Sequence, residues 1–182
     1  GEAKRMITKS GEMEARAVDQ VVELMALAAR TAPKAKGVDN LVIVAARAKV
    51  KDQLSAEMRR IVQEDNGLPN FERDAGNVDK AAVVLLLGQR VKPLGPRPCG
   101  FCGYKDCEEN LKNSGLCAIS IGDLGIALGS AVSVAAQHHV DNRIMFTLGR
   151  AAINLNLFDD KEVRVAYGIP ISVSGKNPFF DR

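Results

Sequence analysis

The sequence predicts a layered fold of the α/β or α+β type, and three features carry that expectation. Two short apolar runs, residues 41–46 (LVIVAA) and 81–87 (AAVVLLL), have the length and composition of strands buried on both faces. Longer stretches around them repeat apolar residues at three- and four-residue spacing, the period of a helix with one buried face. A third segment, GQRVKPLGPRPCGFCG at 88–103, is too rich in Gly and Pro to hold regular structure for long. Strands alternating with helices call for sheet-and-helix layers rather than a bundle.

In chain order, Ser10 is read as the cap of a helix reaching about Arg30, with Val18, Val21, Val22, Met25, Ala28 and Ala29 on its apolar face. Thr31-Ala32-Pro33 ends it, because proline disfavours helical geometry in the residue before it. After the 41–46 strand, Asp52 is read as the cap of a second helix that turns Leu54, Met58, Ile61 and Val62 inward and stops at Gly67. Residues 68–80 are polar and mixed, with room for one short helix. From Cys117 a long apolar helix runs to about His139, with Gly125, Gly129, Ser133 and Ala136 on a stripe that would let another helix approach closely. Asp141 is read as capping a helix to about Leu155. A last strand covers 163–173, with Gly168 and Pro170 marking an edge position or an irregularity.

The chain of 182 residues is read as one domain, 1–182, with residues 88–117 as a Cys-rich insert inside it. Its composition, 46% hydrophobic and 26% charged, excludes wholesale disorder. A net charge of +3, with basic residues scattered and no aromatic platform among them, argues against nucleic-acid binding. Residues 1–10 lack the apolar stretch of a leader, and Asp123 with several small residues interrupts the one long apolar run. A cytoplasmic protein without a membrane span is expected. In that compartment clustered cysteines point to metal or redox chemistry before structural disulfides.

All four cysteines lie within nineteen residues: Cys99-Gly-Phe-Cys102-Gly-Tyr-Lys-Asp-Cys107, then Cys117. Thiolates are soft ligands that suit iron–sulfur clusters and zinc, and either site takes four of them. The Cys-x-x-Cys pair lets two sulfurs converge from one turn, while Gly100 and Gly103 let the backbone curl and expose N–H groups. Three readings compete: a cluster, structural zinc, and free or disulfide-linked thiols. Zinc sites usually pair one such knuckle with a second, which is missing here, and a domain of this size needs no metal staple. The compact start of the motif favours four irons, [4Fe–4S], over two.

The stretches CGFCGYKDC, GDLGIALGSAV, HVDNRIMFTLG and YGIPISVSGKNPFFDR closely resemble an uncharacterised family of ferredoxin-domain proteins of anaerobic bacteria and archaea. More distantly, residues 24–46, the helix from Asp123 through Ala136 and the segment VAYGIPIS resemble the nitroreductase fold. That likeness implies a mixed sheet with a buried central helix, and also FMN and a homodimer. The Arg-rich, Ser-containing segment with which nitroreductases grip the flavin phosphate has no counterpart in residues 1–10, where Lys4, Arg5, Lys9 and Ser10 follow another pattern. No phosphate loop or G-x-G-x-x-G turn is present either.

Among other residues, adjacent His138 and His139 point about 100° apart on a helix and cannot share one metal. They are read as suiting a helix C-terminus. Asp123 is read as a helix cap after Gly122, and Asp141, Asn142 and Arg143 as a polar helix start. Lys34, Lys36 and Lys176 are the loop cations that could meet a phosphate. Phe179 and Phe180 are read as packing residues. No residue is singled out as catalytic.

The leading reading is therefore an iron–sulfur redox protein on a nitroreductase-like scaffold. It would act as an electron carrier with a partner protein, or as an oxidoreductase on a small substrate. The alternatives are a zinc-stabilised scaffold protein without redox activity, and an FMN-dependent reductase with redox-active thiols.

Overall fold

The computed structural model describes residues 6–180; Lys4, Arg5 and the rest of residues 1–5 lie outside them, as do residues 181–182. Helix α1 (Ser10–Thr31) buries Val18, Val21, Val22, Met25 and Ala29, the stripe its sequence spacing sets out. Extended backbone at Ala32, just before Pro33, ends it. The Lys34 ammonium then donates to the carbonyls of Ala29, Arg30 and Ala32, satisfying acceptors that a helix end leaves open.

Strand β1 (Leu41–Ala46) occupies the expected residues. Helix α2 (Ala48–Glu64) starts four residues before Asp52, so Asp52 is not its cap; Arg47 holds that position without a side-chain cap bond and instead pairs with Asp19 at 2.6 Å. Residues 68–80 contain a full helix, α3 (Asn70–Lys80), which buries Phe71, Ala75 and Val78. Strand β2 (Val83–Arg90) runs three residues past the apolar stretch that announced it. It extends because Gln89 keeps the ladder with Val165 even though it is polar.

The short helix α4 (Cys107–Lys112) precedes the long α5 (Ala118–Gln137). Asp141 and Asn142 do not open a helix. They form strand β3 (Asp141–Asn142), paired with Ser172 and Ile171, and α6 (Phe146–Asn154) begins only after Met145 has bridged to Gly168. Sheet hydrogen bonds claim this segment ahead of its capping side chains. Strand β4 (Val163–Ser172) closes the set.

The sheet order is β1-β2-β4-β3, and every pairing among the described residues is antiparallel rather than mixed. Two helices, α2 and α3, separate β1 from β2; each reverses the chain, so β2 enters the sheet against β1. Pro170 sits inside β4 without breaking it. Ile171 carries the β2-facing carbonyl, accepting from Ala82, which turns the nitrogen of residue 170 to the other side. There the partner strand is interrupted between the Asn142 and Met145 pairings, so the missing N–H meets no acceptor.

Period-two alternation along β2 divides the core. Val83, Leu85 and Leu87 face a layer formed by α1 and α5, while Val84 and Leu86 face α2, α3 and α6. The layers are therefore helix, sheet, helix. The second layer presses so close that a Cβ on Gly149 of α6 would overlap the Ala166 carbonyl of β4.

Helix α5 lies on the sheet through Leu124, Ala127, Leu128, Ala131 and Ala135. It is the one described helix long and apolar enough to cross a membrane by length and composition. The small-residue stripe does not receive a helix of this chain. Gly125, Gly129, Ser133 and Ala136 all face outward, a Cβ at Gly125 or Gly129 would touch nothing, and Ile126 between them is 48% exposed. Asp123 is buried but caps no helix; both its oxygens accept from the Ala35 N–H (3.1 and 3.2 Å), pinning the turn that follows α1.

Candidate functional site

Four thiols line one cavity. Cys99, Cys102, Cys107 and Cys117 all border a space of about 740 Å³ between the Pro-rich 93–98 segment, α4 and the first turn of α5. None is in a disulfide; Cys117 is buried and the other three are half-buried. Among the described residues, no three His, Cys, Asp or Glu side chains close up to single-ion spacing.

Local chemistry explains how these cysteines reach one place. Gly100 and Gly103 adopt φ of 76° and 83°, the left-handed region open to glycine, and the Gly103 N–H donates to the Gly100 carbonyl (3.0 Å), curling the chain between Cys99 and Cys107. Asp106 caps α4 by accepting from the Glu109 N–H (2.9 Å), and the Glu109 carboxylate accepts in return from the Lys105 N–H (2.6 Å). This reciprocal box sets Cys107 at the first position of α4. The Glu109 N–H also holds the Asp106 carboxyl below its ordinary range. The box is readable in the sequence as Asp-x-x-Glu, and it places a helix, α4, inside the Cys-rich insert 88–117.

Cys117 is placed by a second set of contacts that its neighbours in sequence do not announce. Asn110, 1% exposed, donates through Nδ2 to the Leu116 carbonyl (3.1 Å), and its backbone carbonyl accepts from the Gly115 N–H (2.9 Å). The Tyr104 ring packs so closely on Gly115 that a Cβ there would lie 2.5 Å from it. Arg164 of β4 reaches the carbonyls of Ser114 (3.0 Å) and Gly115 (3.3 Å), tying this turn to the sheet. On the far side, buried Gln89 of β2 donates to the Ser120 hydroxyl (3.0 Å) and fixes the start of α5. Phe101, 77% exposed, and Leu111 stand outward on the cysteine-bearing segment.

A second cavity, about 530 Å³, lies beyond the other end of α5. Arg73, Asn77 and Lys80 line it from one face of α3, Arg143 from the turn after β3, and Lys176 to Phe180 from the chain after β4. The three loop lysines therefore divide: Lys34 serves the end of α1, Lys36 bonds the Leu94 carbonyl (3.1 Å), and Lys176 joins this basic cavity. Phe179 is buried within the chain, while Phe180 lies under the Arg143 guanidinium, 4.8 Å from its ring centre. His138 and His139 are exposed past the end of α5 and line neither cavity.

A helix–sheet–helix scaffold with α5 laid along an antiparallel sheet defines a protein of the nitroreductase fold. Solved structures agree. An FMN-dependent nitroreductase of Mycobacterium smegmatis aligns with a TM-score of 0.60 at 10% identity, over 86% of this chain and 78% of its own. A nitroreductase of Desulfitobacterium hafniense with bound FMN gives 0.60 at 12%, over 87% and 79%. A BluB-like flavoprotein of Clostridium difficile gives 0.56 at 16%, over 87% and 82%. Residues 113–182 match the family described as uncharacterized protein containing a ferredoxin domain, a stretch that includes Cys117 and follows the other three cysteines. An uncharacterized protein of Archaeoglobus fulgidus is 38% identical over 167 residues, covering 87% of this chain and 88% of its own. The chain belongs to that ferredoxin-domain family, and a redox role in general accords with it.

Proposed function

We propose that Cys99, Cys102, Cys107 and Cys117 together hold one iron–sulfur cluster, [4Fe–4S], and that the protein is an electron-transfer protein or oxidoreductase built around it. The observation that carries this reading is the single cavity bordered by all four thiols of the chain. The donor set fits the group: four soft ligands, two left-handed glycines in one turn, and backbone N–H groups in the same loop. The single Cys-x-x-Cys knuckle, with no second one, favours a cluster over zinc.

The cluster would supply one-electron exchange. The chain's own part is to curl Cys99 and Cys102 into one turn, to cap α4 at Cys107, and to hold Cys117 through Asn110, Tyr104 and Arg164. Phe101 and Leu111 give the rim an apolar surface where a partner protein can dock. Reduced thiols suit a cytoplasmic setting. The outward face of α5, with Ile126 and the glycine stripe, is the surface we assign to a second copy of the chain, with Leu24 and Leu27 of α1 exposed on the same side of the sheet. FMN beside the cluster is the second reading, favoured by the fold shared with FMN-binding proteins.

Dithionite titration of protein purified without oxygen tests the redox reading. Visible bleaching with a new electron paramagnetic resonance signal on one-electron reduction is expected. A protein that takes up no electrons contradicts it.

A further inference from the structure

The rim of the cysteine cavity carries exposed carbon and positive charge together. Phe101 is 77% exposed, and its chain neighbours Gly100 and Cys102 both line the cavity. Leu111, 63% exposed, comes four residues after Cys107 and so shares the face of α4 that carries that thiol. Leu116, also exposed, directly precedes Cys117. Three large apolar side chains standing in water around one opening mark a contact surface.

Charge at this rim divides by what each group already holds. Asp106 accepts from the Glu109 N–H (2.9 Å), Glu109 accepts from the Lys105 N–H (2.6 Å), and Glu108 pairs with Lys112 (2.8 Å). Lys92, farther back on the chain, pairs with Glu162 (2.7 Å). Arg97 and Lys105, both exposed and both lining the cavity, stand four residues either side of Phe101. They act on Asp106 through their fields, yet neither side chain closes a direct ion pair among the described residues. An apolar contact flanked by two such cations suits a surface that brings carboxylates. A second copy docked here by two-fold pairing would bring Arg97 and Lys105 up to cations of their own kind.

We infer that this rim docks a small acidic electron-carrier protein, its apolar contact on Phe101 and Leu111 and its carboxylates facing Arg97 and Lys105. The partner class rests on the electron-transfer reading of the four thiols. With an acidic flavodoxin as carrier, one electron leaves the flavin hydroquinone anion, which becomes the neutral semiquinone. That electron enters the cluster; no bond forms and no proton moves.

Calorimetric titration of the full chain with oxidised flavodoxin reads docking by itself, and iron and sulfide counts on the same sample read the cluster. Saturable binding is expected, weakening about tenfold between about 50 and about 300 mM salt. Mixing the iron-loaded chain with flavodoxin hydroquinone should give semiquinone at a rate with the same salt dependence. An Arg97→Glu/Lys105→Glu variant should lose about tenfold in affinity at low salt and keep its iron. Phe101→Ala should lose about tenfold at every salt concentration. Equal binding by either folded variant, no binding of flavodoxin, or tighter binding of the basic carrier cytochrome c overturns the inference. So does an oligomer of the chain that Phe101→Ala splits. Flavodoxin binding by a chain that holds no iron supports the docking surface and contradicts the cluster alone, so the two failures give separate signals.

Discussion

At one end of α5 four thiols surround a cavity between curled, Gly- and Pro-rich turns; beyond the other end four cations surround a cavity between α3, the turn after β3 and the chain after β4. Twenty residues of helix, about 30 Å at 1.5 Å per residue, separate the two ends. The cysteine end is built by local devices: left-handed glycines, a reciprocal cap, a buried Asn110. The basic end is built by tertiary convergence, with rigid elements each contributing one or two cations. Soft donors must be bent round a common centre, whereas cations need only face a shared space.

The largest expected effect breaks that symmetry outright. Cys117→Ser should lose nearly all bound iron by metal analysis, whereas Arg143→Ala should keep it. If Arg143→Ala also removed the iron, the two ends would be one site. Gly149→Ala acts on the scaffold beneath both. Overpacking against the Ala166 carbonyl should cost about 3 kcal/mol and lower the melting temperature by roughly 10 °C, measured by calorimetry.

A smaller effect sharpens the local side. Asn110→Ala removes the bond to Leu116 beside Cys117 and should cost about 1–2 kcal/mol, with faster loss of iron to a chelator. The smallest touches neither end. Arg60 and Asn154 donate to buried Glu57 and hold its carboxyl below the ordinary range, Arg60 contributing most. A depressed value means this link stabilises fully above the ordinary Glu range, about pH 4.3, and is lost as pH falls through the lowered value. Acid denaturation of Glu57→Gln should therefore lose about 1 kcal/mol at neutral pH and show a shallower fall below pH 4.

The same contrast explains what was legible in the sequence. The β1 run, the α1 stripe, the long α5 and the cysteine quartet are statements about neighbours in sequence, and the structure bears out those elements and brings the four cysteines to one cavity. Asp141 and Asn142 were misread because the competitor for their backbone, Ser172 and Ile171, lies thirty residues away. Asp52 was read as a cap by residue type, though the helix begins at Ala48 without one. Arg73, Lys80, Arg143 and Lys176 look like solvated charges until folding gathers them. Lys176, set with Lys34 and Lys36 as a loop cation, is one of them, and nothing in its spacing names the other three.

The central claim is most directly tested by counting iron, inorganic sulfide and zinc in protein purified without oxygen. About four iron and four sulfide per chain in a brown protein are expected. A colourless protein with one zinc per chain and no sulfide would contradict it.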